Sequence, residues 1–481
     1  MFARGRQVAA PIRLALHLRA NTVRPYNTQR KEVENLNLDQ GSIPKLLLKF
    51  SIPAVSGMMV SAIYAIIDKI FVSQFAGETA FAGIVVALPI TMIILGMSML
   101  AGIGGATQIS IRLGEGRRRM AERTFGNAFV LLILISVFVT VVGLLFLEPL
   151  LRLYGGRGEV LEYSIQYLRI ILAGSAFNII GFGLTHMMRA AGKPFESMMS
   201  MIIGTIGSVI LSFVFVVMLD LGVAGAAVST IAAQAIATTY AFYIMLRKKN
   251  TTLRFRLKSL KLNRKVVFTI VAVGISPFFA QAAGSFVMAL ANNTLYYHGG
   301  DLAIGAKGIM TQFIIFFAMP IFGINQGSQP ILGFNYGAKR YDRVRETLKY
   351  TVIAAAIISF VGWGFIRFFP QVPIWVFTGD WQMESELAGI IRAGLPIFGG
   401  AFLVVGVQFV MGFFFQAIGK AKMALVLNLL RQVILFVPLL LILPPRFGLQ
   451  GIWYAGLLAD VIAFMVTVIA FAYTVRVKLR T

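Results

Sequence analysis

The sequence has no cysteine, and charged residues make up only 13% of it. The absence of cysteine excludes a disulfide framework, a thiolate metal site and a cysteine nucleophile. A soluble domain carries about 25% charged residues, so this chain lacks the charge that a water-facing surface needs. Hydrophobic residues take that place, at 58% of the chain with a mean hydropathy of +0.81. The composition therefore predicts an integral membrane protein.

Twelve apolar runs are each long enough to cross a hydrocarbon core of about 30 Å. Because lipid offers the backbone no hydrogen-bond partner, each run is predicted to be a helix, and the fold class is all-α integral membrane. The runs lie at about 50–72, 81–111, 125–147, 165–188, 198–219 and 223–246, and then at about 266–297, 303–332, 348–366, 388–415, 423–443 and 450–474.

Basic residues are concentrated in alternate loops between these runs. Because basic loops stay cytoplasmic, both termini are predicted to be cytoplasmic, in a multi-pass protein of the cell (inner) membrane. The net charge of +25 does not indicate nucleic-acid binding, since aromatic-studded basic patches on a soluble face are missing. The expected partners are the lipid bilayer and small solutes, and the chain is expected to be a monomer.

The boundary between two halves is predicted at a basic segment, 247–265, which divides the runs six and six. The predicted domains are a basic cytoplasmic tail (1–43), an N-lobe (44–246), a cytoplasmic linker (247–265) and a C-lobe (266–481). Residues 1–31 are Arg-rich and contain no acid, which resembles an organellar transit peptide. A cytoplasmic tail and a start codon placed too early are the alternatives.

The two halves match each other in sequence, which predicts two six-helix lobes related by a pseudo-two-fold axis along the membrane normal. This is the architecture of a secondary transporter. The matched segments are GIGGATQ (102–108) with GINQGSQ (323–329), Gly116 with Gly337, Arg119 with Arg340, AAGKP (190–194) with AIGKA (417–421), GVAG (222–225) with GLQG (448–451), and Pro53 with Pro277.

A nucleotide-binding loop of the form G-x-x-x-x-G-K-[ST] does not occur in the sequence. The glycine-rich GIGGA segment lies inside an apolar run, so we interpret it as close helix packing through small residues. Uphill transport by this chain would then draw on an ion gradient.

Several segments resemble the multidrug and toxic compound extrusion (MATE) family, and within it the MepA-like bacterial branch. They are FSIPAVSGMMVSAIYAIIDKIFVSQF, GIGGATQISIRLGEGRRRMAE, RAAGKP, GVAGAA and GINQGSQPILGFNYGAKRYDRV, and the resemblance covers about residues 40–475. The major facilitator family fits poorly, because RLGEGRRRMAER lacks the Asp of that family's loop. The resemblance implies a twelve-helix exporter, not an enzyme and without a cofactor, that exchanges H⁺ or Na⁺ for amphipathic, often cationic, organic compounds.

Asp68 lies inside the first run, where a carboxylate costs about 2.5–3.5 kcal/mol and by default indicates function. Gly57, Ser61, Tyr64 and Asp68 follow one helical stripe. Asp68 also matches the acid of the family's first-helix D-x-x-F-V pattern, so the resemblance implies proton or cation coupling. The alternative is that Asp68 pairs with Lys69 or the membrane interface.

His186 is the one histidine predicted inside the membrane, and it is a candidate to share a proton with Asp68. Tyr64, on the same stripe as Asp68, is the third ion-coupling candidate. The alternative is a hydrogen-bonded packing residue. The resemblance places Ser208 and Ser212 where many members have Asn and Asp, and Thr185 or His186 where they have Asn. Because these replacements remove cation ligands, H⁺ is favoured over Na⁺.

The substrate or cavity candidates are polar residues within spans, and no metal site is expected. They are Ser61, Asn178, Thr185, Ser208, Ser212, Gln281, Gln326 and Gln329. Asn325, Gln326 and Gln329, beside Pro320 and Pro330, predict a broken or bending helix. Lys307, Arg392, Arg431 and Asp460 are charged residues near span ends or interiors, which we interpret as paired interfacial charges; a functional role is the alternative for Lys307 and Asp460.

Three other functions fit the sequence less well. A flippase for a lipid-linked precursor would predict an Arg-rich cavity, whereas the arginines are predicted mainly in cytoplasmic loops. A membrane-embedded enzyme needs a metal cluster or a nucleophile with its base, and Asp68 with His186 is too sparse for either. A channel is disfavoured by the two-lobe repeat.

Overall fold

The computed structural model describes residues 38, 41–71, 77–246, 253, 256–378 and 385–478. Most of the predicted tail (1–43) and much of the predicted linker (247–265) lie outside these residues. Within the described part the chain is helical, as the hydropathy predicts. Helix 264–337 is too long for one crossing, because 74 residues at about 1.5 Å each extend far beyond a bilayer core. Its backbone breaks at Gly300, with φ 63° and ψ −161°, which makes it two spans.

Twelve spans result among the described residues when the two helix pairs bent by 53° and 51° are each counted as one. They are α1 (Ile43–Phe71), α2 (Glu78–Gly114), α3 (Arg118–Leu145), α4 (Gly158–Ala173 with Ser175–Ala190), α5 (Pro194–Met218), α6 (Gly222–Leu246), α7 (264–299), α8 (301–337), α9 (Tyr341–Phe368), α10 (Glu386–Phe398 with Phe402–Ala417), α11 (Ala421–Ile442) and α12 (Pro444–Lys478).

The repeat is confirmed by irregular features that recur in both halves. The bent spans are the fourth and the tenth, and the fifth and the eleventh each contain a π-helical segment, Phe213–Met218 and Leu430–Leu435. Short helices, Leu147–Leu153 and Gln371–Thr378, precede the two bent spans. Left-handed glycines also pair: Gly77 with Gly300, Gly192 with Gly419, and Gly222 with Gly448. We refer to α1–α6 as the N-lobe and α7–α12 as the C-lobe.

One sequence match is wrong by two residues. Gly116 follows the end of α2 with φ 72°, and the residue at the same point after α8 is Lys339, with φ 59°. Gly116 therefore corresponds to Lys339 and not to Gly337. Gly337 is instead the last residue of α8, where an added Cβ would overlap the carbonyl oxygen of Ile111. Pattern matching failed here because a lysine holds a conformation that usually requires glycine.

The two lobes have separate hydrophobic cores. The N-lobe core also includes Ile270 near the start of α7 and Phe334 near the end of α8. Between the lobes, α2 packs on α7 and α1 packs on α8. Gly104 lies against the carbonyl of Ile270, and an added Cβ there would overlap it. The interpretation of GIGGA as a packing segment is thereby confirmed.

α1 and α9 begin on the same side of the molecule, where Arg343 donates to the carbonyl oxygens of Leu38 and Gly41. Arg256, before α7, pairs with Glu122 at the start of α3 at 3.1 Å on the same side. We call this the basic side.

Of the two alternatives predicted near Pro320 and Pro330, a broken or a bending helix, the break is wrong. Within 264–337 only Gly300 has non-helical backbone angles, and both prolines lie inside α8. The breaks fall in α4 at Gly174 and in α10 at 399–401. Prolines are tolerated in membrane helices because neighbouring groups satisfy the freed backbone.

Candidate functional site

A cavity of about 290 Å³ lies in the N-lobe, where α1, the second part of α4, α5 and α6 meet. Among the described residues of the C-lobe, Gln326 of α8 alone lines this cavity. The bend of α4 and the π-helical segment of α5 occur in two of the four lining helices. Such irregularities are common at functional sites. Its volume is at the small end of the range for drug-binding pockets.

Pairs of hydroxyl groups link α1 to α5 across the cavity. Ser208 donates to the Tyr64 hydroxyl at 2.5 Å, and the hydroxyls of Ser61 and Thr205 lie 3.3 Å apart. Ser61 also donates to the carbonyl of Gly57, one turn earlier on the predicted stripe. The stripe of α1 therefore faces α5, and its polar groups are connected across the cavity.

Four buried polar atoms on the cavity wall have no hydrogen-bond partner among the described residues. They belong to Asn178 (Oδ1), His186 (Nδ1), Arg189 (Nε) and Gln234 (Oε1). Leaving one such group unsatisfied costs about 1–3 kcal/mol. The wall is therefore suited to a hydrated polar ligand or to water, and less to a purely apolar molecule.

Arg189 corrects a sequence prediction. The fourth run was predicted to end at about 188, which left Arg189 in a cytoplasmic loop, but Arg189 is buried in the last turn of α4. It is 3% exposed and donates to Ser197 at 2.6 Å, and Ser197 donates to the carbonyl of Thr185. No described carboxylate lies within ion-pairing distance of it. His186 packs on Phe182, with ring centroids 4.6 Å apart. The cavity thus has a cation at one end.

The structure brings together seven of the predicted site residues on this wall: Ser61, Tyr64, Asn178, Thr185, His186, Ser208 and Gln326. Three other candidates lie elsewhere. Ser212 is hydrogen-bonded to Ser229 at 2.8 Å, Gln329 donates to Thr107 at 2.8 Å, and Gln281 lines a separate cavity of about 180 Å³ with Gln408. Asp68 lies on α1, one turn beyond Tyr64, but its side chain is outside the described part of the molecule.

Sequence reasoning missed Arg189, Thr205 and Gln234 as wall residues. Arg189 was taken for a loop residue because the predicted run ended at about 188, whereas α4 continues to Ala190. Thr205 lies three residues before Ser208, so the helical spacing on α5 was the available signal. Gln234 has no comparable signal, because a single amide in an apolar run usually bonds helix to helix.

Comparison with known proteins supports the resemblance found in the sequence. The family model MatE matches residues 53–214 and 273–442, one segment in each lobe and more than half of the chain. Multidrug export protein MepA of Staphylococcus haemolyticus (strain JCSC1435) is 26% identical over 443 residues, which are 92% of this chain and 96% of that protein. MepA of Staphylococcus aureus (strain NCTC 8325 / PS 47) is 27% identical over 432 residues, 89% and 94% of the two chains.

Two solved structures show the same fold. The MATE multidrug transporter DinF-BH, in complex with R6G, is 36% identical with a TM-score of 0.84, over 92% of this chain and 98% of that chain. An outward-facing MATE family transporter of the MOP superfamily has a TM-score of 0.88 at 22% identity, over 93% and 99%. With the duplicated twelve-helix fold and the matched segment in each lobe, these comparisons show that this chain is a membrane transporter of the MatE family.

Proposed function

We propose that this chain is a secondary active antiporter that exports amphipathic, cationic organic compounds in exchange for H⁺. The observation that carries the proposal is the N-lobe cavity, in which four helices present connected hydroxyls and unpaired buried polar atoms. The names of the MepA relatives and the R6G complex of DinF-BH support an organic drug-like substrate.

Coupling in this proposal depends on Asp68. It continues the stripe of Ser61 and Tyr64, whose hydroxyls are already linked to α5. When Asp68 is ionised, its negative charge would attract a cationic substrate. When Asp68 takes up a proton, that attraction would be lost and the substrate would be released. Proton and substrate would thus favour opposite states of one two-state element.

Alternating access would come from rocking of the lobes about the α2–α7 and α1–α8 contacts. We propose that the basic side faces the cytoplasm in the cell (inner) membrane, because basic loops are retained there. The linker 247–265 would then join the lobes on the cytoplasmic side, and the transporter would act as a monomer.

A lipid-linked precursor is less well supported as the substrate. A flippase cavity would hold many arginines, and among the described residues Arg189 alone is an arginine of the N-lobe cavity. A volume of about 290 Å³ is also small for a lipid-linked head group.

The test is efflux of rhodamine 6G from proteoliposomes with an imposed pH gradient, an imposed Na⁺ gradient, or neither. We expect the pH gradient to drive export in the wild type, and Asp68→Asn to reduce that export at least about tenfold because it cannot exchange a proton. Export that is equally fast without a gradient would contradict antiport. Export driven only by Na⁺ would contradict the choice of ion.

Asp220→Asn is the matched control. Asp220 is an exposed acid of the same lobe, at the turn between α5 and α6, with φ 49°. Asparagine accepts this left-handed conformation readily, so the variant loses an acid without strain. If Asp220→Asn lost as much pH-driven export as Asp68→Asn, the assignment of coupling to Asp68 would be wrong.

A further inference from the structure

A second cavity, of about 320 Å³, lies in the C-lobe between α7, α8, α10, α11 and α12. Most of its wall is apolar, including the rings of Phe398, Phe402 and Phe436. Its described polar residues are Lys307, Thr311, Arg431, Gln432 and Asp460. The charged groups among them are thus two cations and one carboxylate.

The carboxylate is already paired. Asp460 accepts from Nε of Arg431 at 2.5 Å, and the Arg431 guanidinium lies 4.9 Å from the centroid of the Phe409 ring. The interpretation of these two residues as a paired charge is therefore confirmed. Asp460 is the one described acid on this wall, so its charge is neutralised by Arg431 and not by Lys307.

Lys307 has no described carboxylate within ion-pairing distance, and the paired-charge interpretation is wrong for it. Its ammonium donates to Oδ1 of Asn292 at 3.2 Å, which supplies a hydrogen bond but no charge. Thr311, one turn further along α8, has a buried hydroxyl without a described partner, and Oε1 of Gln432 is also unpaired. An ammonium inside a membrane protein is stabilised by an opposite charge.

We propose that the C-lobe cavity is a second binding site, for small aromatic molecules that carry a carboxylate. The carboxylate contacts the Lys307 ammonium and accepts from the Thr311 hydroxyl. The aromatic part of the molecule packs on the phenylalanine rings. This site differs in place and in charge preference from the N-lobe cavity, so it goes beyond the proposed export of cations.

The test uses two dyes that differ in one group: rhodamine 6G, an ethyl ester, and its free acid. Binding of each is measured by fluorescence polarisation with the purified full-length protein in detergent, without any gradient. Lys307→Met should weaken binding of the free acid about tenfold and leave the ester within about twofold. Lys307→Arg, which keeps the charge, should restore binding of the acid.

The control is Lys349→Met, which removes a charge from an exposed position on α9 of the same lobe and should change neither dye. An equal loss for both dyes in Lys307→Met, or no loss for the acid, would overturn the proposal. Should Lys307→Met fail to fold, Thr311→Val decides: a loss of about threefold for the acid alone supports the site, and no selective loss overturns it. Because these are equilibrium binding measurements, they can be interpreted even if the efflux assay contradicts the proposed function.

Discussion

The two lobes share one fold, but the charged groups on the walls of their cavities differ. In the N-lobe, hydroxyl groups of α1 and α5 line the cavity. Arg189 donates a hydrogen bond to Ser197 and has no described acid as a partner. In the C-lobe, an ion pair of Arg431 and Asp460 lies on the wall beside Lys307. Duplication therefore preserved the bends of the backbone while the side chains on the walls diverged.

The difference is in line with the proposal that coupling takes place in the N-lobe. In the N-lobe, the proposed coupling acid Asp68 lies on the same helical stripe as the hydroxyls of the cavity wall, so a single protonation there would change the charge near the cavity. In the C-lobe cavity the one described acid, Asp460, is already paired with Arg431. We therefore expect substitutions in the C-lobe to affect stability and ligand choice more than coupling.

The largest expected effect is on stability, from Arg431→Met. It leaves Asp460 as an unpaired carboxylate that is only 18% exposed. Removing one partner of a buried pair costs about 3–5 kcal/mol, and the partial exposure here lowers the expected loss in the free energy of unfolding to about 2 kcal/mol. Unfolding by titration with sodium dodecyl sulfate measures it.

The double variant Arg431→Met with Asp460→Asn is the control for that loss. It removes both charges, so at least half of the lost stability should return. A double variant as unstable as Arg431→Met alone would show that packing of the arginine stem, rather than its charge, stabilises the C-lobe cavity.

An intermediate effect is expected at the contact between α2 and α7, about which the lobes are proposed to rock. An added Cβ at Gly274 of α7 would overlap the backbone carbonyl of Leu100 on α2. Gly274→Ala should therefore force the lobes apart there and reduce the maximal rate of rhodamine 6G efflux at least about tenfold. Proteoliposome efflux with a saturating amount of dye measures this rate.

Gly308→Ala supplies the comparison, because no atom lies within 4 Å of an added Cβ at that position on α8. It should export at the wild-type rate. Normal efflux by Gly274→Ala would mean that α2 and α7 separate easily and that the lobes do not rely on this close contact.

The smallest expected effect separates two serines of α5 that lie one turn apart. Ser208 lines the N-lobe cavity and bonds Tyr64, whereas Ser212 bonds Ser229 and does not line it. One such hydrogen bond contributes about 1 kcal/mol. Ser208→Ala should raise the KM for rhodamine 6G about threefold to fivefold, and Ser212→Ala should leave it within about twofold. Equal effects of the two substitutions on KM would show that Ser208 on the N-lobe cavity wall does not contribute to substrate binding.

Most of the fold was predictable, because a span needs only length and hydropathy. The ends of the helices were not predictable. α1 begins at Ile43, seven residues before the predicted run, because a helix can continue beyond the lipid where its side chains remain packed. The bends in α4 and α10 and the π-helical segments were also not predictable. They depend on how each helix packs on its neighbours, which hydropathy does not record.

The N-lobe site was partly predictable. Ser61, Tyr64 and Ser208 follow helical stripes, and a stripe can be read from spacing alone. Ser212 shares the same spacing and yet faces α6, because the rotation of α5 against its neighbours decides which stripe borders the cavity.

The sequence by itself determined that this chain is a duplicated bundle of membrane helices, because the cost of unpaired backbone groups in lipid leaves few other folds. It also placed an acid on a polar stripe of the first helix. Only the tertiary structure decided that Arg189 lies in a cavity and that Asp460 pairs with Arg431 while Lys307 has no described acid. The physical reason is that partners within charge-pairing distance are set by how helices far apart in sequence pack, and composition carries no information on that packing.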